Sequence, residues 1–368
     1  MTRGPELRIV VFRGDGIGKE VIDATIAVLE AMARRVGGYA LSYDHQLAGA
    51  EHYRETGTDI TDQAFEAARD ADAILLGAIG LPSIRYPDGT EISPHLRMRE
   101  EFGLYAGVRP VKAYPNAPRR LVDERAQEID LVILRESTEG LFHTHGRGEV
   151  INDSEARETL LITRETSQKL FDFAFRLAER RKARGGKGMV TCVDKANVFR
   201  AFAFFRKIFD ECATHHGSIE AGHNYVDAQA LDLIRRPWDF DVVVTENMFG
   251  DILSDLAGGL VGGMGMASCA EIGDHHALFQ PAHGSAPDIA GQGIANPLAT
   301  ILSGALMLDH LGDQHGIDQL ATAGALLEKA VHDGFAGRRF LPMEFAGPDD
   351  TATTVKALIE IISETTCA

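Results

Sequence analysis

The sequence predicts an α/β fold built on a largely parallel sheet. Short apolar runs alternate with amphipathic stretches from the start, each run ends in polar residues, and helical patterns separate the runs. LRIVVF (7–12) is a buried strand, and GKEVIDATIAVLEAMARRV (18–36) is a helix with aliphatics at helical spacing. DAILLGAIG (72–80) is a strand ending in glycine, and LPSIRYPDGTEISPH (81–95), rich in Pro and turn residues, is a mobile loop. DLVILRE (130–136), GMVTCVDKANV (188–198) and FDVVVTENM (240–248) repeat the strand pattern, with helical patterns over 155–183 and 198–216. In such folds ligands gather at the carboxyl ends of strands, where Arg135, Lys195, Asn197, Glu246 and Asn247 stand.

The bulk numbers narrow the function. The chain has 368 residues, enough for two or three domains or one large α/β unit. A balance of 37 basic against 54 acidic residues gives −17, which disfavours a nucleic-acid partner by repulsion. Cys192, Cys212, Cys269 and Cys367 show neither CxxC nor zinc-like spacing and are expected to be reduced thiols. No run reaches the roughly 18–20 apolar residues of a membrane helix, and the first apolar run is too short for a signal peptide. The expectation is a cytoplasmic protein with no membrane partner.

TENMFGDILSD (245–255) places Asp251 and Asp255 four positions apart. On a helix the two carboxylates share a face, where they repel unless something positive sits with them. The apolar, glycine-rich surroundings argue against a merely solvated face, and all-oxygen ligation suits Mg²⁺ or Mn²⁺. A helical turn with acids complementing the dipole is the plainer alternative. RGDGIGKE (13–20) is neither a Walker loop, since Arg13 and Glu20 break it, nor a GxGxxG, since Lys19 takes the third glycine. What remains is a tight turn from strand to helix. In HGSAPDIAGQGIANP (283–297), His283, Gly284, Ser285 and Ala286 form a small-residue turn that a cofactor could approach closely. Asp288 could accept hydrogen bonds from ribose hydroxyls and would repel a 2′-phosphate.

These motifs, in this order, resemble the β-decarboxylating dehydrogenases: isopropylmalate, isocitrate, tartrate/D-malate and homoisocitrate dehydrogenases. The likeness covers nearly the whole chain through GDGIG (14–18), LRMREEFGLYAGVRP (96–110), LRESTEG (134–140), VDKAN (193–197), YVDA (225–228), FGDILSD (249–255) and HGSAPDIAG with Asn296 and Pro297. It implies an isopropylmalate-dehydrogenase-like two-domain fold that is not a Rossmann fold. The first, cofactor-binding domain is 1–104 plus 262–368, and the second, for dimerisation, metal and substrate, is 105–261. It further implies a homodimer with a shared active site, oxidising a small (2R)-2-hydroxy dicarboxylate of the malate type, with decarboxylation. The implied substrate contacts are Arg99, Arg109 and Arg135, whose guanidinium forks match carboxylates, with His95, Phe142 and Asn197. Asp227, which the resemblance implies comes from the neighbouring chain, joins Asp251 and Asp255 around the metal. Lys195 moves the hydroxyl proton, with Asp227 beside it as catalytic partner. NAD is implied at His283, Gly284, Ser285, Ala286, Asp288, Ile289 and Asn296, because Asp288 stands where NADP-using relatives carry a lysine.

Two departures qualify the resemblance. Phe142 stands where the family carries a tyrosine thought to protonate the enolate, and losing a general acid costs about 10²–10⁴-fold in such a step. Either His143 or His145 replaces it, or water does, or the enzyme mainly oxidises and partitions poorly to CO₂. A catalytically attenuated or regulatory subunit is the alternative, which intact Lys195 and the three aspartates oppose. The second departure is His95 with Leu96 before the first arginine, where isopropylmalate enzymes are apolar. A histidine there shifts weight toward polar substrates such as D-malate or tartrate.

Overall fold

The computed structural model describes residues 4–365, so Cys367 lies outside the described residues. Two open α/β halves share one sheet. The chain runs β1 (Glu6–Gly14), α1 (Gly18–Val36), β2 (Ala40–Gln46), α2 (Ala50–Thr56), α3 (Asp62–Arg69), β3 (Ala73–Ala78), α4 (Pro94–Glu101), β4 (Ala106–Lys112) and β5 (Asp130–Glu136). It continues through β6 (Glu149–Ile151), β7 (Glu155–Arg157), α5 (Arg164–Ala183), β8 (Met189–Asp194), α6 (Arg200–Ala213), β9 (Glu220–Tyr225) and α7 (Val226–Arg235). The last part is β10 (Val242–Thr245), α8 (Asn247–Leu260), β11 (Ser268–Ile272), β12 (Ala277–Pro281), α9 (Leu298–His315), α10 (Asp318–Ala336) and α11 (Thr351–Glu364).

Ten strands form one sheet in the order β2-β1-β3-β12-β11-β4-β5-β10-β8-β9. The first four are mutually parallel, as are the last four, and antiparallel pairings through β11 and β4 join the two sets. The carboxyl ends of β5, β10, β8 and β9 therefore share one edge, which carries Arg135, Glu246, Lys195 and Asp227. Apolar strand faces and the inner faces of α1, α5, α6, α9 and α10 form the main core, including Ile9, Leu75, Phe171, Phe209, Phe279 and Leu308. Among the described residues no helix is long and apolar enough to cross a membrane.

The 155–183 helical pattern divides in the structure. Glu155–Arg157 pairs antiparallel with Glu149–Ile151, with Asn152 and Asp153 in the left-handed region at the turn. The helix begins only at Arg164, where the Thr163 side chain accepts from Thr166 N. The 81–95 segment is tied down: Tyr86 N donates to Thr90 O at 2.9 Å, Tyr86 Oη donates to Asp59 at 2.6 Å, and Ile92 is fully buried.

The GDGIG turn does more than pass from strand to helix. Asp15 is fully buried and accepts from the backbone N–H of Ala50, Glu51 and Gly80, each at 2.8 Å. It thereby fixes the start of α2 and the chain leaving β3. Asp15→Ala is expected to cost about 3–5 kcal/mol, because three backbone donors, two of them in buried hydrogen bonds, lose a charged acceptor. Urea denaturation at neutral pH checks this; a loss under 1 kcal/mol would mean that water replaces the carboxylate.

Candidate active site

The site is built on α8. Glu246 caps its start, accepting from Phe249 N at 2.7 Å and Met248 N at 3.1 Å. Leu253, Ala257 and Leu260 face the core, which leaves Asp251 and Asp255 on the outer face as the i, i+4 spacing requires. What is positive there is a pair of arginines. Arg109 Nη1 lies 3.6 Å from Asp251 and 3.7 Å from Asp255, and donates to Ser254 Oγ at 2.7 Å. Arg135 Nη1 bonds Asp251 directly, while its Nε and Nη2 donate to Asn247 Oδ1 at 2.9 and 2.6 Å. Gly250 makes this approach possible, since a Cβ there would stand 2.7 Å from Arg135 Cβ.

Arg99, on α4, joins the group through Glu271 of β11 at 2.8 Å. All three arginines and Glu271 are buried. Burial, reinforced by Arg109 and Arg99, brings Arg135 down to about 10. Burial alone would raise Glu271, but Arg99, Arg109 and Arg135 together hold its carboxyl below the usual range. Asp255 is raised by burial, with Asp251 adding to the effect. Three guanidiniums thus face Glu271, Asp251 and Asp255 in near balance. A dianionic ligand entering alone would upset that balance, whereas one entering with a divalent cation would preserve it.

Phe142 lies in a short 3-10 turn, Leu141–Thr144, with its ring 5.0 Å from the Arg135 guanidinium carbon. His95, at the start of α4, has an Nδ1 shielded from solvent and without a hydrogen-bond partner. Burial, then Arg99 and Arg135, pushes it down to about 3, so the ring is neutral at working pH. Lys195 and Asp227 form a second group, bonded to each other at the ends of β8 and β9. That bond lowers the Asp227 carboxyl. Asn197 is exposed beside them, in the turn after β8.

Among the described residues of this one chain, no three His, Cys, Asp or Glu side chains gather as a metal site. Asp251 and Asp255 supply the hard oxygen donors that Mg²⁺ or Mn²⁺ takes, and Asp227 stands with Lys195 instead. In a single chain the two acids fit such an ion as part of its shell.

At the far end of the sheet, the 283–297 loop is stapled to the GDGIG turn. Ile17 N donates to Ser285 O at 2.9 Å, and a Cβ on Gly16 (φ +54) would meet that oxygen at 2.1 Å. Glu20 accepts from Gly291 N and, at 3.1 Å, from Gly293 N, while Ile289 packs on Ile17 and Val21. Space above Gly284 is open, Ala286 adopts φ 37, and the buried His283 Nε2 has no partner. Asp288 is exposed and Asn296 is buried, donating to Glu344 at 2.9 Å. These are features of a cradle that a dinucleotide's groups could complete. Glu271, Ser254 and Glu344 were not expected from the sequence, because each is an isolated polar residue whose partners are remote in the chain. The polar ends of 268–272 and 341–349 carry no spacing that marks them.

A family model described as isocitrate/isopropylmalate dehydrogenase matches residues 8–360. The chain is 45% identical over 317 residues to a 3-isopropylmalate/3-methylmalate dehydrogenase of Methanocaldococcus jannaschii, covering 86% of this chain and 89% of the relative. It is 40% identical over 339 residues to a homoisocitrate dehydrogenase of the same organism, covering 90% and 93%. Among solved structures, isocitrate dehydrogenase from Methylococcus capsulatus superposes with a TM-score of 0.83 at 34% identity, over 97% of this chain and 99% of that one. A β-decarboxylating dehydrogenase from Thermococcus kodakarensis superposes with a TM-score of 0.77 at 38% identity, over 97% and 96%.

Proposed function

The chain belongs to the isocitrate/isopropylmalate dehydrogenase family, and from that premise we propose that it oxidises a (2R)-2-hydroxy dicarboxylate of the malate type, with NAD and Mg²⁺ or Mn²⁺. The observation that carries this reading is the convergence of Arg109 and Arg135 on Asp251, beside Asp255 and next to the Arg99–Glu271 pair. Arg99, Arg109 and Arg135 bind and orient the two carboxylates of the substrate. Asp251 and Asp255 hold the cation, with Asp227 of a second copy completing its shell. When bound, the cation would supply Lewis-acid polarisation of the substrate oxygen and the nicotinamide would supply the hydride-accepting chemistry. Lys195 takes the hydroxyl proton at Nζ, with its charge steadied by Asp227. Neutral His95, with Leu96 beside it, makes the pocket less suited to a branched alkyl group on C3, so D-malate, which has none, and tartrate, which has a hydroxyl there, rank ahead of 3-isopropylmalate. Phe142 has no proton to give, which slows the decarboxylating half relative to oxidation.

The proposed homodimer has its own support. Val198, Phe199, Leu231, Ile234 and Ile252 are all at least half exposed on α7, α8 and the turn before α6. Asn197 and Asp227 lie on the same side of the chain as this apolar surface, so a second copy covering it would meet them. The division into 1–104 plus 262–368 and 105–261 is proposed with it, as is a cytoplasmic setting.

The test is a panel of D-malate, tartrate, 3-isopropylmalate and isocitrate, each with NAD and Mn²⁺ or Mg²⁺, reading NADH and CO₂ together. The reading expects NADH from a malate-type substrate and less CO₂ than NADH early in the reaction. NADH from none of the four would remove it. For the cofactor, Asp288→Lys is expected to raise the NADP/NAD activity ratio at least tenfold, about 1.4 kcal/mol, by exchanging repulsion of a 2′-phosphate for attraction. An unchanged ratio would take Asp288 out of the cofactor site.

A further inference from the structure

The 283–297 loop has little of its own to hold it in place. Gly284, Pro287, Asp288, Gly291 and Gln292 are exposed. Its internal bonds are local: Ile289 N to Ala286 O at 3.1 Å, Gln292 N to Ile289 O at 3.2 Å and Gln292 Nε2 to Asp288 O at 2.8 Å. Where the loop sits is therefore set by what it meets outside. Ser285 fastens the near end, its carbonyl accepting from Ile17 N at 2.9 Å and its hydroxyl donating to Gly80 O. The middle rests on Ile17 and Val21 through Ala286 and Ile289. The far end returns to α1, where one oxygen of Glu20 accepts from Gly291 N and the other from Gly293 N at 3.1 Å. Gly291 and Gly293, at φ 77 and 69, adopt the left-handed backbone in which both N–H groups reach that one carboxylate. Thr351 N holds Gly293 O at 2.9 Å from the other side.

We infer that Glu20 is a positioning residue for the cofactor, holding the far end of this loop against α1. The inference rests on the reading above that the loop takes NAD. Asp288 lies between the fastenings at Ser285 and Gly291, so both are needed to fix where its carboxylate meets the ribose. Glu20 is well placed for the task. It stands in the first turn of α1, where negative charge is favoured, and the helix behind it is anchored by fully buried Val21, Ile22, Val28 and Leu29. Among the described residues no basic side chain pairs with it, so its charge serves the two amides. Charge-assisted bonds of this kind order the loop before the cofactor arrives, which removes an ordering cost from binding. Glutamine offers a single oxygen to two donors and turns an NH₂ toward one of them. In Glu20→Gln the loop loosens, cofactor affinity falls, and Asp288 rejects a 2′-phosphate less sharply. The partners of Glu20 are amides of this loop and not the arginine group or Lys195. Substrate binding and the chemical step should therefore stay close to those of the unmodified chain.

The experiment is amide hydrogen exchange over 283–297 without cofactor, followed by calorimetric titration with NAD and with NADP. In Glu20→Gln, exchange over 288–293 should quicken at least tenfold while the later turns of α1 keep their protection, which shows that the variant is folded. Kd for NAD should rise at least tenfold, and the preference for NAD over NADP should shrink at least threefold. In steady state KM for NAD should rise with Kd, with kcat at saturating NAD held within threefold and substrate KM within twofold. Lys19→Gln, which breaks the neighbouring pair with Glu51, should leave Kd for NAD within twofold. Unchanged exchange and Kd in Glu20→Gln would overturn the assignment. So would a fall in kcat with Kd unmoved, or an equal loss of NAD affinity in Lys19→Gln. The two failures separate: NAD bound normally by both the unmodified chain and Glu20→Gln sinks Glu20 alone. NAD bound by neither, with Asp288→Lys also without effect on cofactor choice, sinks the reading of the loop itself.

Discussion

Asp251→Asn should lower kcat/KM at least a thousandfold, equivalent to about 4 kcal/mol. Asp251 forms ion pairs with both Arg109 and Arg135, and it shares the outer face of α8 with Asp255. Asparagine keeps the shape but removes a full negative charge, so a divalent cation would face Arg109 and Arg135 with one carboxylate fewer on α8 to oppose them. Titration of Mn²⁺ into the variant should show affinity lost together with activity, while the thermal melt stays close to that of the unmodified chain, since Asp251 is a partly exposed side chain. Retained activity with weakened Mn²⁺ binding would separate the acid from the chemistry and count against the site.

Arg135→Gln ranks second, with an expected loss of about 10²–10³ in kcat/KM, carried mostly by KM. Its guanidinium is buried, held by Asn247 and Asp251, and lies against Phe142. Glutamine cannot present two parallel donors to a carboxylate, and it leaves Asp251 without its nearest cation. Arg135→Lys should recover little, because an ammonium offers a point charge in place of a planar fork. Steady-state kinetics on the same substrate with both variants checks this. Recovery by lysine to within threefold would mean that charge alone, without the fork, binds the substrate.

Some of this molecule was plain in the sequence and some was hidden. The periodicity of 18–36 marks α1 from Gly18 to Val36, and DLVILRE marks β5 at the same limits, because each has a single burial pattern that its neighbours do not blur. The Asp251–Asp255 face was legible for the same reason, since i, i+4 spacing survives in any helix. The antiparallel centre was not: β11 and β4 pair across more than 150 residues, and no local spacing reports a partner that distant. The 149–157 ribbon was hidden because its short, polar strands share composition with the first turns of a surface helix. GDGIG looked like a plain turn. Its second task, gripping Ser285 and placing Glu20 against Gly291 and Gly293, exists only after the fold brings residues 16–20 to 285–293. Glu271 illustrates the general limit: a buried acid in an apolar strand is informative only when the three arginines it serves are known.

The most direct test is to strip the purified chain with excess EDTA and follow NADH formation on D-malate, then add back Mn²⁺ or Mg²⁺. If the oxygen donors of α8 gather the ion that polarises the reacting carbon, turnover falls to background with chelator and returns in full with either metal, in the unmodified chain but not in Asp251→Asn. Turnover that continues undiminished under chelation would contradict the account at its base.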